Sequence, residues 1–334
     1  MAAKHTDDTA PKRVARHKMA CKRWARAFCA VHTFADKLFF IITDKGAIRL
    51  PSYTDIAAEL YPKRRKSVPE GIALSTQHAE GITLTRVDIT RSGFRRAPGS
   101  YITLDLPDFA FPSDKNAAAV SAVSGQLRAL LPACGTVLVV GIGNRAVTAD
   151  ALGPFTADKV IATRSAAGET PRKAPRNAKS AAADAAAKNA KADADLPLLR
   201  SVAVLCPGVA AMSGIATAEL LRGAIRATAP AAVICIDSLC TREPSRLGKS
   251  VQLSSAGLFP AASPPLSQKT LGVPVIALGV PTVTSLCAKG KEALLVTPKD
   301  IDAIVQRAAA LLSLAVNRAL QPALSVGELH FLMS

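Results

Sequence analysis

The chain has 334 residues, 49% of them apolar and only 4% aromatic, with a formal charge of +17. That length allows one large domain or two smaller ones around a sizeable core, and an apolar content built from Ala, Leu, Val and Ile argues against an aromatic-rich binding surface. The charge favours polyanions or acidic proteins as neighbours, yet much of it sits at 4–26, 63–66 and 172–191, where solvated basic tails account for it equally well.

The seven cysteines are scattered and form no CxxC pair. They fit buried thiols in a reducing, cytoplasmic setting better than a disulfide framework. The basic N-terminus lacks the features of a secretory signal, because its apolar part at 27–43 is broken by His32, Asp36 and Lys37. No uncharged run approaches the length of a membrane span, and no membrane partner is expected.

In chain order, residues 1–50 read as an appendage with a ragged basic helix over 13–38, and 51–110 as mixed structure. Residues 101–106 alternate like a half-buried strand. Residues 117–131 carry helical spacing and stop before Pro132. From 136 onward strand and helix alternate. Short apolar runs at 136–140, 201–205, 231–236 and 273–278 predict buried strands. Helical patterns occupy 151–162 and 213–228. The last strand leads through Gly279-Val280-Pro281-Thr282 into a further helix-like stretch. A final helix is predicted over 298–320, with Thr297 as its cap, Pro298 in its first turn, and Asp300 and Asp302 at its positive end. Residues 166–195 interrupt this rhythm: they are rich in Ala, Lys, Asp, Arg and Pro, offer no apolar stripe, and read as a disordered surface insertion. The alternation predicts an α/β fold, a mostly parallel sheet with helices on both faces.

In such a sheet ligands gather at the carboxyl ends of the strands. Two acids are delivered there: Asp150, beyond the turn that follows 136–140, and Asp237, directly after 231–236. If they converge, like charge raises one pKa and the pair holds a single proton. One acid can then activate water while the other donates to a carbonyl or leaving amine. The same oxygens could instead hold a divalent metal. A plainer alternative is that each acid caps the element that follows it. Other chemistries fit poorly. The sequence has no GxGxxG with a ribose-reading acid, no phosphate-cradling GxxxxGK[ST] and no HExxH. No histidine lies between His78 and His330 to serve Ser238 or the Cys235 and Cys240 thiols.

These blocks resemble the germination proteases, spore endopeptidases that degrade small acid-soluble spore proteins. Gly141-Ile142-Gly143-Asn144 with Val147-Thr148-Ala149-Asp150-Ala151-Leu152-Gly153-Pro154 is similar to one family block, and Ile236-Asp237-Ser238-Leu239 to another. Thr85-Arg86-Val87, Gly99-Ser100-Tyr101-Ile102-Thr103-Leu104, Ser255-Ala256-Gly257-Leu258-Phe259-Pro260 and the run from Thr270 to Val283 follow the same pattern, so that the resemblance covers roughly 50–325. It implies a fold related to the hydrogenase-maturation endopeptidases and an atypical aspartic mechanism with Asp150 and Asp237 as the catalytic pair. It implies no cofactor, with Asn144 and Gly143 shaping the loop. It also implies a self-processing zymogen, a homotetramer, and a place in the spore core beside its protein substrates. Thr54-Asp55-Ile56-Ala57-Ala58-Glu59 has the form of the family's processing site, with Tyr53 where Arg is frequent. The expected cut lies between Asp55 and Ile56, leaving 1–55 as a propeptide-like segment and 56–334 as the peptidase domain. The alternative reading of the same residues is a helix start capped by Thr54. The chain departs from the family pattern at Cys206-Pro207-Gly208-Val209, and at Ala216, where an acid is usual. The basic N-terminus raises the further expectation of weak contact with DNA. The enzyme alternatives are a metal-dependent peptidase and a non-catalytic binding relative.

Overall fold

The continuous apolar runs form the parallel half of one sheet. Strands β4 (Val137–Gly141), β5 (Val202–Leu205), β6 (Ala232–Thr241) and β8 (Val275–Leu286) lie side by side in the order β5-β4-β6-β8. Every residue of β4 is buried, as expected of a strand covered on both faces. The structure, a computed structural model, describes residues 53–61, 68–107, 116–165, 199–259, 264–286 and 294–333. The N-terminal appendage with its helix at 13–38, the basic stretch 63–66 and the insertion at 166–195 all lie outside the described residues.

An antiparallel half extends the sheet from β8. Strands β7 (Ser250–Ser254), β3 (Gly99–Asp105), β2 (Ile82–Ile89) and β1 (Ile72–Ala79) follow in that order, and β9 (Leu294–Val296) pairs with the far end of β8. The expected α/β fold with helices on both faces is present; parallel pairing, expected for most of the sheet, is confined to the four strands beside the candidate site. At the far edge, between β1 and β2, the reason is a short connection. Glu80 and Gly81 both take positive φ, 51° and 75°, the geometry of a tight hairpin turn, which permits only antiparallel neighbours.

The helices are α1 (Ala57–Leu60), α2 (Ala117–Leu130), α3 (Leu152–Ala157), α4 (Ala210–Ser213), α5 (Thr217–Thr228), α6 (Gln268–Leu271), α7 (Ile301–Leu320) and α8 (Val326–Met333). One face of the sheet is covered by α2, α3 and α7, which bury Val123, Leu127, Leu152, Val305 and Leu312 against Val139, Ile234, Ile236 and Ile276. On the other face α5 buries Ala218 and Leu221 against Leu138, Val140, Val233 and Cys235. By length and composition α7 could cross a membrane, but 67% of its apolar window is buried within the fold, so its apolarity is that of a core helix.

Four local expectations change. The helix predicted over 151–162 stops at Ala157, because the buried Asn317 of α7 accepts the Ile161 N–H at 2.9 Å and donates to the Lys159 carbonyl at 2.9 Å, drawing the chain out of helical register. The helix predicted over 213–228 is divided by Gly214, which takes φ 71° at the end of α4. The final helix starts at Ile301 rather than 298, and Thr297 does not cap it, its hydroxyl turning to the Pro298 carbonyl. Finally, β6 and β8 both run on past 237 and 279 as a projection beyond the end of β4, with β9 paired to the outer part of β8. Pro281 lacks the N–H of a ladder residue and is accommodated beside a register shift at Leu239/Cys240.

Candidate active site

Asp150 owes its position to the turn that leaves β4. Gly143 takes φ 128°, and an ideal Cβ there would stand 1.9 Å from the carbonyl oxygen of Asp150, so only glycine allows the chain to fold back this closely. The next amide, that of Asn144, donates to Asp150 Oδ2 at 2.8 Å, while Asn144 Oδ1 accepts from the Ala146 N–H at 2.9 Å and sets the turn between them. A single 3₁₀ turn, Thr148–Asp150, delivers the acid, and the Thr282 hydroxyl of β8 pins it by donating to the Ala149 carbonyl at 2.7 Å. Asp150 is 3% exposed. It is not the cap of α3, whose N-cap is Ala151 and has no side-chain cap.

Asp237 reaches the same edge from β6. Gly141, the last residue of β4, pairs with Ile236, so Asp237 is the first residue of β6 to pass the end of its neighbour. The alternative that Asp237 caps a following element gives way: it sits within the strand, its Oδ1 accepting the Ser238 N–H at 2.8 Å. Across the ladder it faces Gly279, where a Cβ would stand 2.4 Å from the Asp237 carbonyl oxygen. The two connections are tied directly, the Ile142 N–H donating to the Ile236 carbonyl at 2.9 Å. Two carboxyl groups are thus fixed at the carboxyl edge of hydrogen-bonded neighbours, each by a backbone amide.

The segment around Asp55 docks on the projecting part of β6. The Asp55 N–H donates to the Cys240 carbonyl at 2.8 Å, and Asp55 Oδ2 accepts the Cys240 N–H at 2.8 Å. Gln252 Nε2 donates to the Asp55 carbonyl at 2.7 Å, and Gln252 Oε1 accepts the Ala57 N–H at 2.8 Å. Arg96 lies 3.7 Å from Asp55 Oδ1 and donates to the Thr54 carbonyl, while the Tyr53 hydroxyl donates to the same carboxylate. Beside this segment lies a small cleft lined by Leu239, Gln252, Leu258, Phe259 and Gly279 among others; Asp150 and Asp237 themselves do not line it. Thr54 does not cap α1. It accepts the Ile56 N–H at 3.0 Å, and the helix has no side-chain cap.

Residues 54–177 and 197–289 match the family model described as germination protease. The chain belongs to the germination protease family. It is 30% identical over 336 residues to the germination protease of Caldanaerobacter subterraneus subsp. tengcongensis, covering 83% of this chain and 95% of that one. With the germination protease of Clostridium acetobutylicum it shares 28% identity over 339 residues, covering 83% and 97% respectively. Among solved structures, a [NiFe] hydrogenase maturation protease, HycI from Thermococcus kodakarensis, aligns with 58% of this chain and 98% of its own at 16% identity and a TM-score of 0.30.

In this germination protease relative the two predicted acids occupy one edge of the sheet, and Gly143 and Asn144 form the loop that holds the first of them. Asp55 and Ile56 are brought to the projection of β6 above that edge. Two of the described cysteines near the site, Cys235 and Cys206, have thiols raised away from the thiolate form that a nucleophile needs. Burial pushes the Cys235 thiol far up, with Asp237 adding to the shift, and burial likewise raises Cys206 beside Asp158. Arg96 and Gln252 carry no signal in the linear sequence; they meet Asp55 only because the strands run in the order β3-β7-β8-β6.

Proposed function

We propose that this family member is an endopeptidase of atypical aspartic type in which Asp150 and Asp237 form the catalytic pair. One carboxylate, ionised, takes a proton from water. The other, protonated, hydrogen-bonds the scissile carbonyl and then returns a proton to the leaving amine. No cofactor enters this scheme. The reading is supported chiefly by the placement of both acids at the edge of β4 and β6, each accepting a backbone N–H and neither used as a helix cap. A divalent metal on the same two oxygens is the alternative; among the described residues no group of three or more His, Cys, Asp or Glu side chains converges, so further ligands would have to come from water or substrate.

The substrates proposed are small acid-soluble spore proteins, degraded in the spore core at germination, by a homotetramer made as a zymogen and cut between Asp55 and Ile56. Family membership supports these points. Until processing removes them, the basic N-terminal residues would keep the zymogen near DNA-bound substrate, an attraction that weakens steeply with salt. The deciding experiment incubates purified full-length protein with such a substrate and reads the products by mass spectrometry. Internal cleavage is expected, and Asp150→Asn or Asp237→Asn abolishes it together with self-processing. Cleavage at the wild-type rate by either variant would remove that residue from the pair.

A further inference from the structure

Apart from the Tyr53 hydroxyl, the groups named above that hold Asp55 belong to the body of the fold rather than to the segment carrying it. Arg96 precedes β3, the Cys240 amide lies on β6, and Gln252 lies on β7. Gln252, Gly279 and Asp237 pair in register across β7, β8 and β6, so their Cα–Cβ directions share one face of the sheet. Two strand spacings separate Gln252 from Asp237, roughly 10 Å at the backbone. Between them Gly279 contributes no side chain, and the Asp237 carbonyl and the Leu239 side chain close over it, so that Gly279 and Leu239 both line the cleft.

We propose that Arg96, the Cys240 amide and Gln252 form a subsite that reads an acidic residue of an extended polypeptide substrate, and that Tyr53–Ala57 occupies it as an internal stand-in. The inference rests on the peptidase reading above and assigns that site its specificity-determining residues. Arg96 and Asp55 have side chains only 12% and 13% exposed. A guanidinium and a carboxylate so far from water are tolerated as a pair and are costly singly. Once the segment leaves, the guanidinium and the Cys240 N–H face the cleft, and an incoming carboxylate restores both interactions. An amide side chain restores at most the second, and a lysine adds like charge. Gln252 performs a different task. Its amide accepts one backbone N–H and donates to one backbone carbonyl two residues apart, a grip that fits any extended chain regardless of side chain. Acid reading thus falls to Arg96 and Cys240, and alignment to Gln252. Fully buried Ile56 and Ala57 mark the next two positions as apolar and small.

The test uses full-length protein carrying Asp237→Asn, so that probe peptides survive. Fluorescence anisotropy measures binding of labelled Tyr-Thr-Asp-Ile-Ala-Ala and of its Asn counterpart. The internal segment competes equally with both, so their ratio is unaffected by it. The acid peptide is expected to bind about tenfold more tightly, the worth of a charge-assisted hydrogen bond. Arg96→Gln brings the ratio close to one, and Arg96→Lys recovers part of it. Equal affinity for the two peptides, or a preference that persists in Arg96→Gln, overturns the assignment. If thermal melting shows Arg96→Gln unfolded, a Lys counterpart peptide decides on the Asp237→Asn chain alone: no measurable binding supports the subsite, and binding equal to the acid peptide overturns it. The peptidase reading fails separately, by full cleavage of substrate in Asp237→Asn, and the binding ratio is then read with peptides whose amide bond before Ile is N-methylated against cleavage.

Discussion

Gly153 and Ile236 lie so close that a β-carbon on the first would stand 2.4 Å from the carbonyl oxygen of the second. The same atom would stand 2.2 Å from the Ile142 carbonyl oxygen. Gly153 opens the helix that follows Asp150, and Ile236 immediately precedes Asp237. The missing side chain therefore lets the support of one acid settle onto the strand of the other. Gly153→Ala is expected to force α3 away from β4 and β6 at a cost of about 1–3 kcal/mol. Peptidase activity should fall further than the shift in melting temperature explains, since the displacement separates the carboxyl groups. Unchanged activity in a folded Gly153→Ala protein would mean that the spacing of the two acids is not what this contact sets.

Gly143→Ala tests the other side of the loop. Here both the positive φ and the contact with the Asp150 carbonyl oppose a side chain. The expected result is loss of activity with retention of most secondary structure by circular dichroism, because α2, α7 and the sheet do not depend on the turn. Asn144→Ala is expected to be milder. It removes the Asn144 Oδ1 bond to Ala146, but the backbone amide that holds Asp150 remains.

Much of the site was legible because its signals are local. Val137-Leu138-Val139-Val140 announces a strand buried on both sides, and Gly143-Asn144 announces a tight turn before an acid. Other parts were not. Gly279 and Pro281 read as turn residues, and they sit inside β8 only because a register shift in β6 and the turn before β7 accommodate them. The hairpin of β1 and β2 leaves little trace in the sequence because Glu80-Gly81 is a weak turn signal beside Asn-Gly or Asp-Gly. The early stop of α3 is decided by Asn317, more than 150 residues away in the chain. Arg96 and Gln252 acquire a shared partner from strand order, which neither residue's neighbours encode.

Metal dependence separates the two readings of the aspartates. Cleavage by the purified protein is expected to persist unchanged after prolonged chelation and gel filtration. A loss of turnover that a divalent cation restores would convert Asp150 and Asp237 from an acid–base pair into ligands.

Alkaline pH provides a test of the packing behind the Asp55 site. Burial pushes the Tyr101 phenol from 10.0 up to about 12, and its hydroxyl donates to the Ala97 carbonyl at 2.9 Å. The folded pKa lies above the unfolded one, so the unfolded chain loses its proton first. The stabilisation is complete below pH 10 and is lost as pH rises toward 12, on the order of 2 kcal/mol in all. Tyr53, raised further by burial and by Asp55, acts in the same direction. Urea melts at intervals from pH 9 to 12 should show falling stability, with a shallower slope in Tyr101→Phe. An identical slope in that variant would place the titration elsewhere.

Self-processing offers the last test, because the bond in question is held shut in this structure. Ile56 is fully buried, its N–H given to Thr54, and the Asp55 carbonyl is held by Gln252. Cleavage there requires the segment to lift from β6 first, a local opening that costs less than global unfolding. Low urea, well below the unfolding midpoint, is therefore expected to accelerate processing before higher concentrations stop it, and N-terminal sequencing should find a chain beginning at Ile56. A processing rate that only falls with urea would mean that the docked segment is cut in place. A different N-terminus would move the scissile bond away from the Arg96 and Gln252 clamp altogether.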